Sequence, residues 1–496
     1  MSIDSRTPVL VGAAAVQQRL DDPQQALEPI ELMITALRRA ADDAGAASLL
    51  SRADSIRLPR GFWDYGDPGR MIAERFDASR ARTQVAELGV LQTTLFGLAA
   101  EAIAAGKEDV VLIAGGEAKY RAARALYAGI QAPITAQPGQ PDSVLRPARD
   151  IWNQIEADFG LLMPVNQYSI MENALRYAEG LSIGEHRREV AEMWAGFSRA
   201  AVENPDAWNR EPLTAEDIAG NDAGNRMLAF PYAKLHNSQW NVDQAAGLIL
   251  CSVEAARAAG IPQAKWVFPL SVTESNHMMP LSERRQMHRT DGFRIAGRRA
   301  LEIADTAIED VKHVELYSCF PIAVRIQARE MRVPSGRPLT VTGGMPFAGG
   351  PLNNFVLQAA VRMTQVLRAD PGSRGMLTAV SGMLTKQGVS LWSTQAPEKP
   401  CEFADVTEEV GAAMETVEVI GDYHGPATVA SYTVLYNGDA VARAVAVCDL
   451  PDGRRTIAAS ADEKVAKEAT EKEFCGRQVK VQGAEFALSL GDRSPN

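Results

Sequence analysis

Cysteine is scarce in this 496-residue chain: there are five, at positions 251, 319, 401, 448 and 475. Their scatter gives no metal-ligand spacing and no disulfide framework, and it suits a reducing cytoplasm. It also removes any cysteine nucleophile from the first 250 residues. Positive charge is short too, with 51 Lys and Arg against 62 Asp and Glu and a formal charge of −11. Nucleic-acid binding needs a concentrated basic face, so no such partner is expected. A local basic pocket for a small anion remains open. No charge-free apolar run of 18 residues occurs, and the start MSIDSRTPVLVG lacks the basic-then-apolar order of an export signal. Neither a membrane partner nor secretion is therefore expected. Nucleotide motifs are missing as well, because AGGEA lacks the G-x-G-x-x-G spacing and no GK[ST] follows a glycine loop. His277 and His288 stand eleven apart without further ligands, so neither metal nor cofactor is expected.

What is present is a large α/β pattern. Hydrophobic residues make up 46%, with 39 Gly and 27 Pro, which argues against disorder, and 496 residues are too many for one ordinary core, so two to four domains are expected. PVLVGAAAV from Pro8 reads as a buried strand, and 29–44 as an amphipathic helix ending at Gly45. ADSIRLPRGF is extended. A small-residue helix is expected over 92–105, stopped by Gly106, and DVVLIAGGEAKY follows as strand plus glycine turn. From Arg121 to about Met227 the chain turns Pro-rich and then helical around Asn173 and Met193, as an insertion over one face of a core does. Trp194, Phe197 and Trp208 are expected to anchor that insertion.

The order of helix, strand and glycine turn then repeats. HNSQWNVDQAAG leads into LILCSVEAARAAG, 265–271 is a strand candidate, and GFRIAGRRALEIADTA a helix. VKHVELYSCFPIAVRIQARE reads as strand, polar turn and helix. The loop from Val341 to Asn354, VTGGMPFAGGPLNN, is tightly bent and delivers the chain into the helix FVLQAAVRMTQVLR, with MLTAVSG as the next strand. Exposed amides at that helix start suit an anion, and a purely structural turn is the alternative. A Pro-rich, charged stretch near 395–405 reads as a linker. Beyond it, METVEVIGDY, ATVASYTVLYNGDAVARAVAVCDL, RRTIAAS and RQVKVQGAEFALS are extended, with hairpin turns at Asn437-Gly438 and Pro451-Asp452-Gly453 and a helix DEKVAKEATEKE between strands. A small closed barrel of OB type is expected.

AAEAIAAGKEDVVLIAGGEA, YSCF near 318 and TGGMPFAGGPL near 345 together resemble the thiolase superfamily. The resemblance is nearest to the type 1 thiolase-like proteins that carry an additional C-terminal domain. It implies a duplicated α-β-α-β-α fold with an acyl-CoA site between the halves. The implied domains are 1–120 and 228–398 as the two halves, 121–227 as a loop domain, and 405–496 as the barrel. The resemblance also locates losses. The position of the thiolase nucleophile falls on Gly89, that of the G-H-P histidine on Gly350, and that of the second cysteine near Ser381 or Gly382. Glycine has no atom that attacks a thioester, so the usual acyl-enzyme route is not expected.

Tyr317, in Tyr317-Ser318-Cys319-Phe320, stands where related enzymes place Asn or His beside the thioester oxygen. Its phenol suits hydrogen bonding to that oxygen or acid–base work, as in thiolase-like aldolases; a half-buried structural tyrosine is the alternative. No second tyrosine occurs in 345–354, where such aldolases carry one. Cys319 reads as core. His236 precedes a small-residue run and is the second candidate for chemistry, though it is a lone histidine. Asn237, Asp243, Gly343, Gly344, Gly349 and Gly350 are candidates for the ligand-binding wall. The leading expectation is a CoA or acyl-CoA-binding protein, monomer or homodimer, without thiolase turnover. A carbon–carbon lyase using Tyr317, an atypical acetyl-CoA acyltransferase and a non-enzymatic adaptor are the alternatives.

Overall fold

The computed structural model describes residues 3–149, 153–222 and 224–488. Two sheets are built alike. In the first, the strand Pro8–Gln18 pairs antiparallel with Asp243–Ser252, which pairs with Val110–Ala118. Ser55–Pro59, Arg82–Ala86 and Ser143–Leu145 then follow in parallel. In the second, Phe268–Ser275 pairs antiparallel with Lys386–Ser393, that with Arg374–Ser381, and Val311–Glu315 lies parallel at the end. The four strands named first in each sheet are paired alike, antiparallel, antiparallel and then parallel, which makes the duplication visible despite weak sequence similarity.

Helices supply the other three layers. Pro29–Ala44 covers the first sheet; its buried residues recur at helical spacing, and Gly45 closes it at φ 70. Asp291–Ile303 covers the second sheet in the same way. Between the sheets lie Gln92–Ala104 and Phe355–Ala369, each touching strands of both. Gln92–Ala104 is apolar on nearly every side because every side is covered. The insertion contributes the helices Pro164–Ala178 and Ile183–Val202, the second opened by a Ser182/Glu185 capping box. Trp194 and Phe197 stack at 4.9 Å and are buried, while Trp208 packs edge-on against Tyr120.

Several expectations need correction. Gly115 and Gly116 do not turn the chain; they sit inside the strand Val110–Ala118. Glycine is needed there for close approach: a Cβ on Gly115 would stand 2.7 Å from Asn354 Oδ1, and one on Gly116 2.8 Å from Ala245 Cβ. The segment at 243–252, read with the second half, completes the first sheet, since its register runs from Gln18↔Asp243 to Pro8↔Ser252. The strand expected over 265–271 is Phe268–Ser275. Residues 402–405, expected in a linker, form an edge strand parallel to Phe268–Ser275. Phe403 from that strand lies over Gly97 of the buried helix. METVEVIGDY makes only isolated bridges at Thr416 and Val419.

The C-terminal strands close on themselves. His424–Asn437 pairs with Ala440–Asp449, that with Arg455–Ser460, then Glu485–Leu488, then Gln478–Gln482, and back to His424–Asn437. The helix Glu463–Glu471 fills the connection before Gln478. A short hairpin, Met227–Ala229 with Tyr232–Ala233, joins the insertion to this barrel through Leu435↔Ala229.

Packing of the outer helix on the first sheet admits no side chain at Gly12, where a Cβ would stand 2.2 Å from the Ala40 carbonyl oxygen. Gly12→Val is expected to cost about 1–3 kcal/mol or more in urea unfolding. Gly184→Ala, in a helix with nothing within 4 Å, should stay within about 0.5 kcal/mol of the parent or gain slightly.

Candidate functional site

The glycine loop is held from below by one carboxylate. Glu315, 1% exposed at the end of its strand, accepts from the backbone N–H of Val341 (2.7 Å) and Thr342 (2.8 Å) and from both the Thr340 and Thr342 hydroxyls. Burial pushes this carboxyl up to about 7, against the pull of those donors. The two threonine oxygens in turn accept from Gly343 N–H and Gly344 N–H, each at 2.9 Å. Met345 N–H donates to Ser318 Oγ at 3.0 Å, and Gly350 N–H to the Gln239 carbonyl at 2.8 Å. These loop amides are therefore committed within the protein and hold the bend. Gly343 and Gly344, at φ 98 and 73, serve packing: their Cβ positions fall on Ala201 and Phe197 of the insertion helix.

Around the far end of the loop, buried polar atoms lack partners. Asn354 is 2% exposed with neither Oδ1 nor Nδ2 satisfied. Ser238 Oγ, against Gly350, and Gln244 Oε1, against Gly349, are also unpartnered. Gln92, at the start of the central helix, donates to Asn353 Oδ1 at 3.0 Å and leaves its own Oε1 free. Unsatisfied groups of this kind are few in folded proteins and mark places where polar ligands or waters belong.

Tyr317 lies just past the Glu315 strand, half-buried, with its ring edge-on to Phe355 at 5.9 Å. Burial first, and then the neighbouring Cys319, raises its phenol above the ordinary tyrosine range. Cys319 is buried, and its thiol meets the Tyr168 hydroxyl of the insertion. Burial pushes that thiol up to about 12, so it stays protonated and core-like. His236 sits apart, with its Nδ1 accepting from Ala233 N–H at 3.0 Å. Its Nε2 has no partner, and the ring lines a cavity of about 10 Å³ with His186, Arg187, Phe230 and Tyr232, beside the barrel. No hydrogen bond joins His236 to Tyr317 among the described residues. Asn237 donates to the Ala233 carbonyl at 2.7 Å, closing its own turn. Asp243 is fully buried and accepts from Arg121 N–H at 3.0 Å and from Gln18; burial pushes it up to about 6.

Gly89 stands at φ 97 before the central helix, with Pro147 packed 3.0 Å from its Cβ position. Ser381 ends its strand opposite Lys386. The turn between them puts Gly382, Met383 and Leu384 at φ 60, 55 and 63, left-handed at two non-glycine residues. Sequence reasoning missed what this turn carries. Lys386, 1% exposed, reaches across the halves and donates to the Gly89 carbonyl at 3.1 Å. Arg284, 2% exposed, holds the turn through the Met383 carbonyl at 2.7 Å. Neither belongs to a motif; Lys386 opens a strand whose other residues, QGVSLWS, carry no charge, and that was the available signal. Arg284 also lines a polar cavity of about 240 Å³ with Arg285, Arg289 and Glu415, where Arg289 is already paired with Glu330. Among the described residues, no three His, Cys, Asp or Glu side chains are grouped to hold a metal. No helix there is long and apolar enough to cross a membrane.

Two like sheets around buried central helices, with a bent glycine loop where the halves meet, define a thiolase fold. The peroxisomal thiolase of Saccharomyces cerevisiae matches it with a TM-score of 0.57 at 13% identity, over 79% of this chain and 99% of that one. The Ltp2–ChsH2(DUF35) aldolase matches at 0.57 and 18%, over 79% and 98%. An acetyl-CoA acetyltransferase of Methanothermobacter thermautotrophicus is 24% identical over 300 residues, 57% of this chain and 70% of that protein. A monomeric SCP2-thiolase-like protein type 1 from Mycobacterium smegmatis matches with a TM-score of 0.82 at 27% identity, over 98% of this chain and all of that one. Residues 405–485 match the thiolase-like protein type 1 additional C-terminal domain. The chain thus groups with the thiolase-like proteins of type 1.

Burial drives the His236 imidazole down to about 4 from 6.5. The unfolded chain then binds the extra proton between these values, so this residue's contribution to stability is present above pH 6.5 and lost as pH falls toward 4. Urea unfolding should show a loss of about 3 kcal/mol at most over that window, and His236→Gln should flatten it.

Proposed function

We propose that this protein binds CoA or an acyl-CoA thioester between its two halves and does not carry acyl groups on an enzyme thiol. The observation that supports this most directly is the set of unpartnered buried polar atoms on Ser238, Gln244 and Asn354 around Gly349–Gly350. They offer both donors and acceptors where the halves meet. Gly89, Gly350 and Ser381, at the positions of the thiolase chemical groups, provide neither thiol nor imidazole. Cys319, the one cysteine near Tyr317, is held as a buried thiol. The five cysteines are all free and buried, which supports a cytoplasmic setting. The sheet edge at Arg82–Ala86 is covered by Ser143–Leu145, which supports a monomer. The closed five-strand barrel, read as OB type, serves here as a docking unit for the insertion.

A second reading, a carbon–carbon lyase acting on a 3-hydroxyacyl thioester, draws on Tyr317. The phenol stands just past the edge strand Val311–Glu315, beside the helix that the glycine loop delivers. A raised phenol stays protonated and can donate to a developing enolate oxygen. The fold-level likeness to an aldolase is an analogy in the same direction.

Titration calorimetry with CoA is expected to give a dissociation constant in the range of about 1 μM to 1 mM, and no heat at millimolar ligand would contradict the binding reading. Incubation with acetyl-CoA should leave no acetyl group on any cysteine by peptide mass analysis. For the lyase reading, Tyr317→Phe should keep ligand affinity and lower turnover by about 10² to 10⁴-fold. A shifted melting temperature with unchanged turnover per folded molecule would assign the tyrosine to structure alone.

A further inference from the structure

Lys386 is the one deeply buried lysine among the described residues, at 1% exposure. No described carboxylate lies within ion-pair distance of its amine; the hydrogen bond to the Gly89 carbonyl, 3.1 Å long, is the contact it makes. Glu274, the acid that acts on it through space, is occupied by Thr94 Oγ1 and Asn276 Nδ2. Burial disfavours an ammonium that has no carboxylate within ion-pair distance and lowers this lysine from its ordinary value, with Glu274 opposing the shift through space. Its placement is specific. Nζ stands 3.9 Å from where a Cβ on Gly89 would be, in the space that a side chain from that loop would enter. The nitrogen arrives there from the opposite half, on a strand that follows the left-handed turn 382–384. Arg284 clamps this turn at Met383, and Thr385 Oγ1 fixes it by donating to the His277 carbonyl at 2.9 Å.

We propose that Lys386 is a carbonyl-capturing amine that forms a reversible imine with the ketone of a 3-oxoacyl thioester. The nitrogen lone pair bonds to the ketone carbon. The carbonyl oxygen takes both amine protons and leaves as water, and a carbon–nitrogen double bond remains. A ketone is the class that fits, because attack on the thioester carbonyl would expel the thiol and leave a stable amide. The choice of thioester rests on the acyl-CoA reading above; the reactivity of the amine does not.

Two labelling arms on the full chain separate the claims. In the first, limiting formaldehyde with cyanoborohydride at pH 7 should methylate Lys386 severalfold faster than exposed lysines such as Lys467, read by peptide mass mapping. In the second, acetoacetyl-CoA followed by borohydride should leave a reduced adduct on Lys386, absent in Lys386→Arg of unchanged melting temperature. An unmodified Lys386 beside methylated surface lysines overturns the inference, whatever CoA binding is measured. Methylation of Lys386 without an acetoacetyl-CoA adduct overturns the 3-oxoacyl thioester as its ligand. The wild-type mapping needs no variant, so misfolding of Lys386→Arg cannot rescue the proposal.

Discussion

The bonds from Glu315 to the chain at 340–342 fix the shape on which the site depends. One buried carboxylate accepts from two backbone amides and two hydroxyls, and those hydroxyls accept from the next two glycines. The loop is thereby bent without using a ligand. Its glycines then approach Ala201 and Phe197 of the insertion on one side and Gln244 and Ser238 on the other. A loop built this way is preorganised: its amides are satisfied, and the groups left without partners are side chains facing the junction. Removing the carboxylate would leave four donors in a buried place, a far larger penalty than the loss of one ordinary hydrogen bond.

Duplication explains where that junction falls. Both sheets share a four-strand core paired antiparallel, antiparallel and parallel, and both central helices touch both sheets. The loops before these helices, at Gly89 and at Gly349–Asn354, therefore face the same interior from opposite halves. Lys386 and Gln92 cross that interior, one to the Gly89 carbonyl and one to Asn353. The barrel touches the insertion through Asn173 and Ser169 rather than through the glycine loop. This placement fits a barrel that steadies the insertion.

Much of this fold was legible in the residues. The helix Pro29–Ala44 shows its period, its proline start and its glycine stop. The hairpin at Asn437-Gly438 and the helix Glu463–Glu471 stand where turn chemistry and periodicity put them. What failed was whatever depended on distant partners. Gly115 and Gly116 look like a turn, and only Asn354 and Ala245 on other elements make glycine necessary inside a strand. Residues 402–405 look like a linker until Phe403 finds Gly97. The site was less legible than the fold. The glycine loop was visible in its own residues and Tyr317 through family likeness; Asn237 closes its own turn, and Asp243 accepts from the distant Arg121 amide and Gln18. Lys386, Arg284 and Glu315 carry no motif, and the residues around a charged side chain do not announce where its end will lie.

The proposed CoA thioester site lies where the halves meet, against the glycine loop and Gly89. Hydrogen exchange followed by mass spectrometry, with and without saturating CoA, tests it most directly. Protection is expected to rise in peptides covering 87–93, 236–242 and 345–356, with the barrel strands at 440–460 unchanged. Protection confined to the barrel, or to the arginine-lined cavity at 284–291, would contradict the account and place the ligand elsewhere.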